Sequence, residues 1–504
     1  MDTQLMFGYG SQAVGLSLDK LNRHGLIAGA TGTGKTVTLK VIAEQLSLAG
    51  IPVFLSDIKG DLISLAEMGS SQAFIERLQA THYENYDNQA FPIELWDAHG
   101  QSGLPLRVTV SEMGPILLAN LLGLNETQTS ILNVVFSVAD EKGLLLIDLT
   151  DLRAMLNFVG EHAKELSGSY GNISKASIGV ILRSIVVLEQ QGADAFFAEP
   201  SLEIEDLLRV DESGKGIINI LNASKLYQTP TLYAMVLLAL LGELFDSLPE
   251  VGDLAKPKMV FFFDEAHVLF DGTPKVLVEK IELMVRLIRS KGVGIFFVTQ
   301  NPMDLPDSVS SQLGNRIQHG LRAFTPKELK VVKAVSQTFR QAESSAVDLE
   351  KVLQALATGE AVVSTLDSKG TPNVAERVMI YPPMSKLGLV DPQTILKTIN
   401  HSQLLDKYSE TINRESAHEQ LNQAMQETQE EMIKSIDGKA EDLSTNQRIK
   451  ELEAELAKQL KKSGKTASRR TDSNFDRFTK NMMSQVGREI GRVITRSISG
   501  MFKK

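Results

Sequence analysis

The stretch LIAGATGTGKT, Leu26 to Thr36, constrains this chain more than any other. It reads as the end of an apolar strand, a glycine-rich loop and the first residues of a helix in unbroken succession. Gly29, Gly34, Lys35 and Thr36 satisfy the spacing GxxxxGK[ST]. Such a loop holds phosphate because residues as small as Gly32 and Gly34 let successive backbone N–H groups turn inward, while the helix behind them offers the positive end of its dipole. The expected nucleotide contacts are Gly29, Thr31, Gly32, Thr33, Gly34, Lys35, Thr36 and Val37. Lys35 would reach the outer phosphates and Thr36 would ligate magnesium, so ATP and Mg2+ are the expected ligands. A glycine-rich turn without a ligand is the alternative. The apolar segment before the loop and the helical VTLKVIAEQL after it argue against that.

The remaining composition narrows the class. A chain of 504 residues has room for more than one structural unit, and 43% apolar with 23% charged residues is the balance of a soluble globular protein. With no cysteine, disulfide frameworks, cysteine zinc sites and thiol catalysis are excluded. The eight histidines show no ligand spacing. MDTQLMFGYG lacks the regions of a signal peptide, and the longest apolar run, near Leu232 to Leu241, is shorter than a bilayer span, so a cytoplasmic protein without an integral membrane segment is expected. A net charge of -10 argues against a uniformly basic surface, but not against a local nucleic-acid groove or a lined pore.

Taken in order, the first 24 residues read as a short lead-in to the phosphate-loop strand. PVFLSD (52–57) and FPIELWDA (91–98) are further strand candidates, and alternation with helices predicts a parallel sheet with its binding loops at the strands' carboxyl ends. Asp57, Lys59 and Asp61 in SDIKGDL fall just past that edge, where they either face the nucleotide or a neighbouring subunit, or form a charged turn around Gly60. Trp96 is expected in the core. From 113 to 209 the pattern changes to long helical periods, read as an inserted helical subdomain over one edge of the sheet. GIINIL returns to strand character. TLYAMVLLALLGELF follows as an apolar helix whose Tyr233 and Met235 are packing residues.

The second anchor is KMVFFFDEAH, 258–267, an apolar run that ends in two adjacent carboxylates. Magnesium takes oxygen ligands and keeps much of its water, so Asp264 alone can hold the hydrated ion opposite Thr36. Glu265 can polarise a water aimed at the terminal phosphate. GVGIFFVTQNP (292–302) ends at Thr299, Gln300 and Asn301. Gln300 is the candidate sensor, whose amide would bond phosphate and attacking water together; a plain strand-ending turn before Pro302 is its alternative. Arg286, Arg289, Lys291 and Arg316 stand nearby in sequence, and an arginine fork supplied by a neighbouring subunit would neutralise the transferring phosphoryl group.

With these residues in view, GLIAGATGTGKT, LSDIKGDL, MVFFFDEAHVLF, RLIRSKGVGIFFVTQNPMDLPDSV and QLGNRIQHGLRAFTP resemble the HerA-like ATPase family of the FtsK and HerA superfamily, closest to its bacterial YjgR-type branch. The similarity runs from about Arg23 to Pro383. It implies an α/β fold: a RecA-like, additional-strand P-loop NTPase core with a mainly parallel sheet, a helical insertion and a C-terminal helical tail. It also implies a homo-oligomeric ring, hexameric in kind, and ATP-driven translocation on DNA. By the same resemblance Lys35, Glu265, Gln300 and Arg289 are the catalytic set, with Arg289 at the position of an intersubunit arginine, and Thr36 and Asp264 the metal pair. HerA proper carries a β-barrel ahead of this core, whereas the chain here begins almost at the phosphate loop, so the resemblance implies an ATPase more firmly than processive unwinding or a nuclease partnership, and strand separation stays open. An ATP-dependent assembly scaffold with negligible turnover is the rival reading. A guanine-specific switch is disfavoured, because no NKxD stands in the sequence.

The expected divisions are 1–112 and 210–383 for the two parts of the ATPase core, 113–209 for the insertion, 384–462 for a polar helical region and 463–504 for a basic tail. From Lys461 onward twelve Lys or Arg stand against three Asp or Glu. Phe478, Met482, Val486, Ile490 and Val493 line one side of a helix and Arg488, Arg492 and Arg496 another. A basic amphipathic helix fits nucleic acid, an anionic membrane surface or an acidic neighbour. Docking on a neighbouring subunit of the same acidic ring is the favoured expectation.

Overall fold

A computed structural model describes residues 3–83, 86–252, 254–342, 347–412 and 414–441. The basic tail, with the docking expected of it, lies outside them. Two compact units divide at Asn422, and of the second only the distal part of the helix Ala417–Glu441 is described.

The first unit is built on one twelve-stranded sheet. Its strands are β1 (Gln4–Tyr9), β2 (Ala13–Ser17), β3 (Gly25–Ala28), β4 (Val53–Asp57), β5 (Ile93–Asp97), β6 (Leu104–Pro105), β7 (Ile218–Asn222), β8 (Met259–Phe263), β9 (Val293–Thr299), β10 (Asn315–His319), β11 (Glu360–Ser364) and β12 (Glu376–Ile380). Their order is β2-β1-β12-β11-β10-β3-β9-β8-β4-β7-β5-β6. From β10 through β3 to β6 every pairing is parallel; from β2 to β10 every pairing is antiparallel. The N-terminal lead-in is thus the β1–β2 hairpin, which extends the sheet by pairing with β12, more than 360 residues away.

Central parallel strands are covered on both faces and therefore read as continuous apolar runs. β8 shows this: Val260 and Phe262 enter one apolar cluster and Phe261 and Phe263 the other, all at 0–1% exposure. Phe262 stacks on Phe296 at 5.1 Å and Phe263 meets Phe297 at 5.6 Å, so adjacent strands lock together through their aromatic rows. The helix Lys35–Leu48 covers one face with Leu39, Ile42 and Leu46. The helix Pro230–Ser247 lies within the opposite layer. It is long and apolar enough by composition to cross a membrane, but Leu232, Tyr233, Met235, Leu238 and Leu241 are buried in the core. Tyr233 and Met235 are packing residues, and Trp96 is buried with its indole N–H donated to Asn219 at 3.0 Å.

Between β6 and β7 the chain forms the helices Val110–Leu121, Glu126–Lys142, Leu149–Glu161, Ala163–Tyr170 and Lys175–Gln190. The first three begin at capping boxes, Thr109 with Glu112, Asn125 with Gln128 and Asp148 with Asp151, which satisfy the free N–H groups of each first turn. Leu118, Leu132, Leu152 and Ile181 share one continuous cluster with Phe261, Phe263 and Phe297 of the sheet. Beyond the proline pair at 382–383 the chain stays within the first unit. Met384 and Ser385 are buried, and Tyr408 closes over Trp96 with ring centroids 5.2 Å apart.

Candidate nucleotide-binding and hydrolytic site

Parallel strands deliver the residues that follow them to one edge of a sheet. The loops after β3, β4, β8 and β9 therefore emerge together, carrying respectively the phosphate loop, the SDIKGD turn, the acidic pair and Thr299–Asn301. In space the four strands run β4-β8-β9-β3. A chain of side-chain contacts follows that order. Lys59 Nζ donates to Glu265 Oε1 at 2.6 Å, Gln300 Nε2 donates to both Glu265 oxygens at 3.3 Å, and Thr31 Oγ1 donates to Gln300 Oε1 at 3.2 Å. Residues 31, 59, 265 and 300, remote in sequence, form one cluster.

The phosphate loop is shaped by what surrounds it. A Cβ on Gly29 would stand 2.5 Å from the Cβ of His319, and one on Gly34 would stand 3.1 Å from the backbone of Gly359, with φ of 152° and 114° at the two residues. Only glycine combines that closeness with that backbone. Thr31 and Gly32 occupy the exposed tip. Thr33 closes the loop by donating its hydroxyl to the Ala30 carbonyl at 2.6 Å, and its own carbonyl accepts from Gly359 N–H at 2.8 Å. Lys35 opens the helix and lays its ammonium on the carbonyls of Gly29 and Ala30, at 2.7 and 3.1 Å. Thr36 and Val37 are half-buried in the first turn. Burial pushes the Lys35 ammonium below the usual lysine range, against the charges of Glu265 and Asp264, which favour the cation; the acidic pair thus acts directly on the phosphate-loop lysine.

Asp264 is 3% exposed. Its Oδ1 accepts from the Glu265 N–H at 2.9 Å, whereas Oδ2 is buried without a hydrogen-bond partner. Its own N–H is held at 3.2 Å by Ser56 Oγ, which Tyr233 in turn bonds at 2.8 Å. Burial pushes the Asp264 carboxyl up to about 7; the Lys59 charge opposes the rise and the Glu265 charge adds to it. A buried carboxylate oxygen lacking a donor suits a hydrated cation, and Asp264 and Thr36 are oxygen donors of the kind that magnesium takes. Among the described residues no cluster of three His, Cys, Asp or Glu could hold a metal.

Glu265 sits at φ 47°, ψ 46°, a left-handed conformation that costs energy in any residue bearing a Cβ. That geometry turns its side chain back over the sheet edge. Burial raises its carboxyl, but the hydrogen bonds and charge of Lys59 and the amide of Gln300 outweigh burial and leave it below the ordinary range. His267 Nδ1 lies 3.5 Å away.

The arginines do not join this cluster. Arg289 precedes β9, so it stands at the opposite end of that strand from Gln300, where its charge acts on His24. Arg286 is exposed on the preceding helix. Lys291 is spent on the Leu248 carbonyl. Arg316 donates to the Ser310 carbonyl at 3.1 Å and lines a separate cavity of about 370 Å³ with Met303 and Phe339. Asp57 is a turn former: its carboxylate accepts from the N–H groups of Lys59, Gly60 and Leu62. No motif marks His319, whose ring bridges Thr38 Oγ1 and the Glu360 carbonyl behind the loop, or the brace at Thr358 and Gly359. Their one local hint is the glycine ahead of β11.

A phosphate loop at the end of a central strand, an acidic pair two strands away and a glutamine between them define a P-loop NTPase with a RecA-like α/β core. Within that class the chain belongs to the family described as helicase HerA-like C-terminal, whose model matches residues 3–504. Two curated relatives are each named DNA double-strand break repair helicase HerA. That of Sulfolobus acidocaldarius is 23% identical over 371 residues and that of Sulfurisphaera tokodaii 23% over 370, covering 69% of this chain and 64% of each relative. The chain thus spans less than two thirds of their length. The plasmid coupling protein TrwB, solved with the ATP analogue ADPNP, is similar at TM-score 0.49 and 14% identity over 74% of this chain and 87% of that one.

Proposed function

We propose that this protein is an ATP-hydrolysing ring motor of the HerA-like type, acting on DNA in the cytoplasm. The observation that carries the reading is the unbroken contact chain Lys59–Glu265–Gln300–Thr31, which ties the acidic pair to the phosphate loop across three strand boundaries. Family membership supports the ATPase, and the name of the two relatives, DNA double-strand break repair helicase, supports DNA as the cargo.

In this reading the loop from Gly29 to Gly34 wraps the phosphates and Lys35 exchanges its two carbonyl partners for phosphate oxygens. Thr36 and Asp264 would hold magnesium, which when bound neutralises phosphate charge. Glu265 orients the attacking water, and Gln300, touching both Glu265 and Thr31, senses the terminal phosphate. Arg289, placed away from its own site, is supplied to the next subunit of a hexamer.

The test is steady-state phosphate release by wild type and Glu265→Gln, with and without DNA. Removing the water-orienting carboxylate is expected to lower turnover by about 10²- to 10⁴-fold while leaving nucleotide affinity within a few-fold. Equal, near-background rates in both proteins would sink the motor and leave the assembly scaffold.

A further inference from the structure

The closest contact in the cluster is one that hydrolysis cannot use. A carboxylate that orients a water must offer it an oxygen. Here Glu265 Oε1 is held by the Lys59 ammonium at 2.6 Å and shares the Gln300 amide with Oε2 at 3.3 Å.

The two partners are unequally free. Glu265 is fixed by its left-handed backbone, and its side chain is 6% exposed. The Lys59 backbone is equally fixed, because the Asp57 carboxylate bonds three N–H groups of the turn, at 3.2, 2.7 and 3.0 Å. The Lys59 arm is not: its side chain is 46% exposed, and Glu265 is its ammonium's one hydrogen-bond partner among the described residues. When the pair opens, the lysine moves and the glutamate stays.

From this asymmetry we infer that Lys59 is a positioning residue that latches Glu265 in the resting state, and that turnover requires its ammonium to leave Oε1. The inference rests on Glu265 being the water-orienting group. A triphosphate seated on the loop supplies the competing anion, since the charges of Lys59 and Lys35 already act on one another across the site. The latch thereby ties release of the carboxylate to arrival of substrate and keeps the empty site idle.

The experiment measures kcat, KM and the affinity for a fluorescent ATP analogue in wild type, Lys59→Met, Lys59→Gln, Lys59→Arg and Glu265→Gln, without DNA. A partly exposed ion pair holds back a factor of about two to five, so both neutral variants are expected to raise kcat by that factor with affinity changed less than twofold. Lys59→Arg, which keeps the cation, is expected to restore the slow rate. A simple structural role would lower affinity or stability instead and would not be rescued by charge. A fall or no change in kcat in either neutral variant overturns the latch, as does a rise in Lys59→Arg equal to theirs. Wild type no faster than Glu265→Gln removes the ATPase reading and the latch together. Wild type well above Glu265→Gln, with the neutral variants not above wild type, removes the latch alone.

Discussion

Lys35 makes two hydrogen bonds to its own loop, and both acceptors are carbonyls that a phosphate oxygen outcompetes. Lys35→Ala is therefore expected to weaken nucleotide binding by about 10- to 100-fold, the scale of a charge-assisted hydrogen bond of roughly 1.5–3 kcal/mol, and titration with a fluorescent analogue reads this directly. Two other buried side chains set a pH limit on the fold. Burial pushes the imidazoles of His24 and His319 down to about 4, from an ordinary 6.5. The unfolded chain then binds the extra protons, so the stability tied to neutral rings is intact above pH 6.5 and is lost as pH falls towards 4. The melting temperature is expected to drop across that window and to drop less steeply in His319→Gln; identical slopes would exclude the histidine. Gly29, Lys35, Thr36, Asp264 and Gln300 could be picked from the sequence because each belongs to a local pattern. Lys59 stays open to two readings there, since its partner lies 206 positions away and no spacing rule reaches so far.

At the level of elements, the phosphate-loop helix holds down the strap that follows β12. Lys40 donates to Ser64 Oγ at 2.7 Å and to the Lys386 carbonyl, and Glu44 accepts from the N–H groups of Met384 and Ser385 at 2.9 and 3.0 Å. Glu44, Met384 and Ser385 are buried, so Glu44→Ala strands two amides and the Ser385 hydroxyl. A loss of about 3 kcal/mol is expected, seen as a lower melting temperature and as faster proteolysis around Lys386. The segment VTLKVIAEQL announces the helix but not this polar face's partner. β10 is hidden in the sequence for a related reason. NRIQH has a lone apolar residue, Ile317, among four polar ones, and it is sustained in the sheet because Asn315, Gln318 and His319 each bond a backbone carbonyl. The apolar strands β3, β4, β8 and β9 needed no such rescue and were readable from composition.

For the molecule as a whole, the charge reversal after Lys461 predicts how copies meet. Deleting 463–504 is expected to abolish ring assembly, measured as particle mass with a non-hydrolysable nucleotide. Unchanged assembly with lost DNA affinity would assign those residues to the polymer instead. The sheet carries a different consequence. β3, formed by residues 25–28, lies between β9 and β10, whose residues are 293–299 and 315–319. A chain leaving the ribosome therefore presents its phosphate loop early but completes the bed of that loop only after His319 has emerged. Until then the newborn protein has no finished seat for a phosphate, however early the loop itself is made.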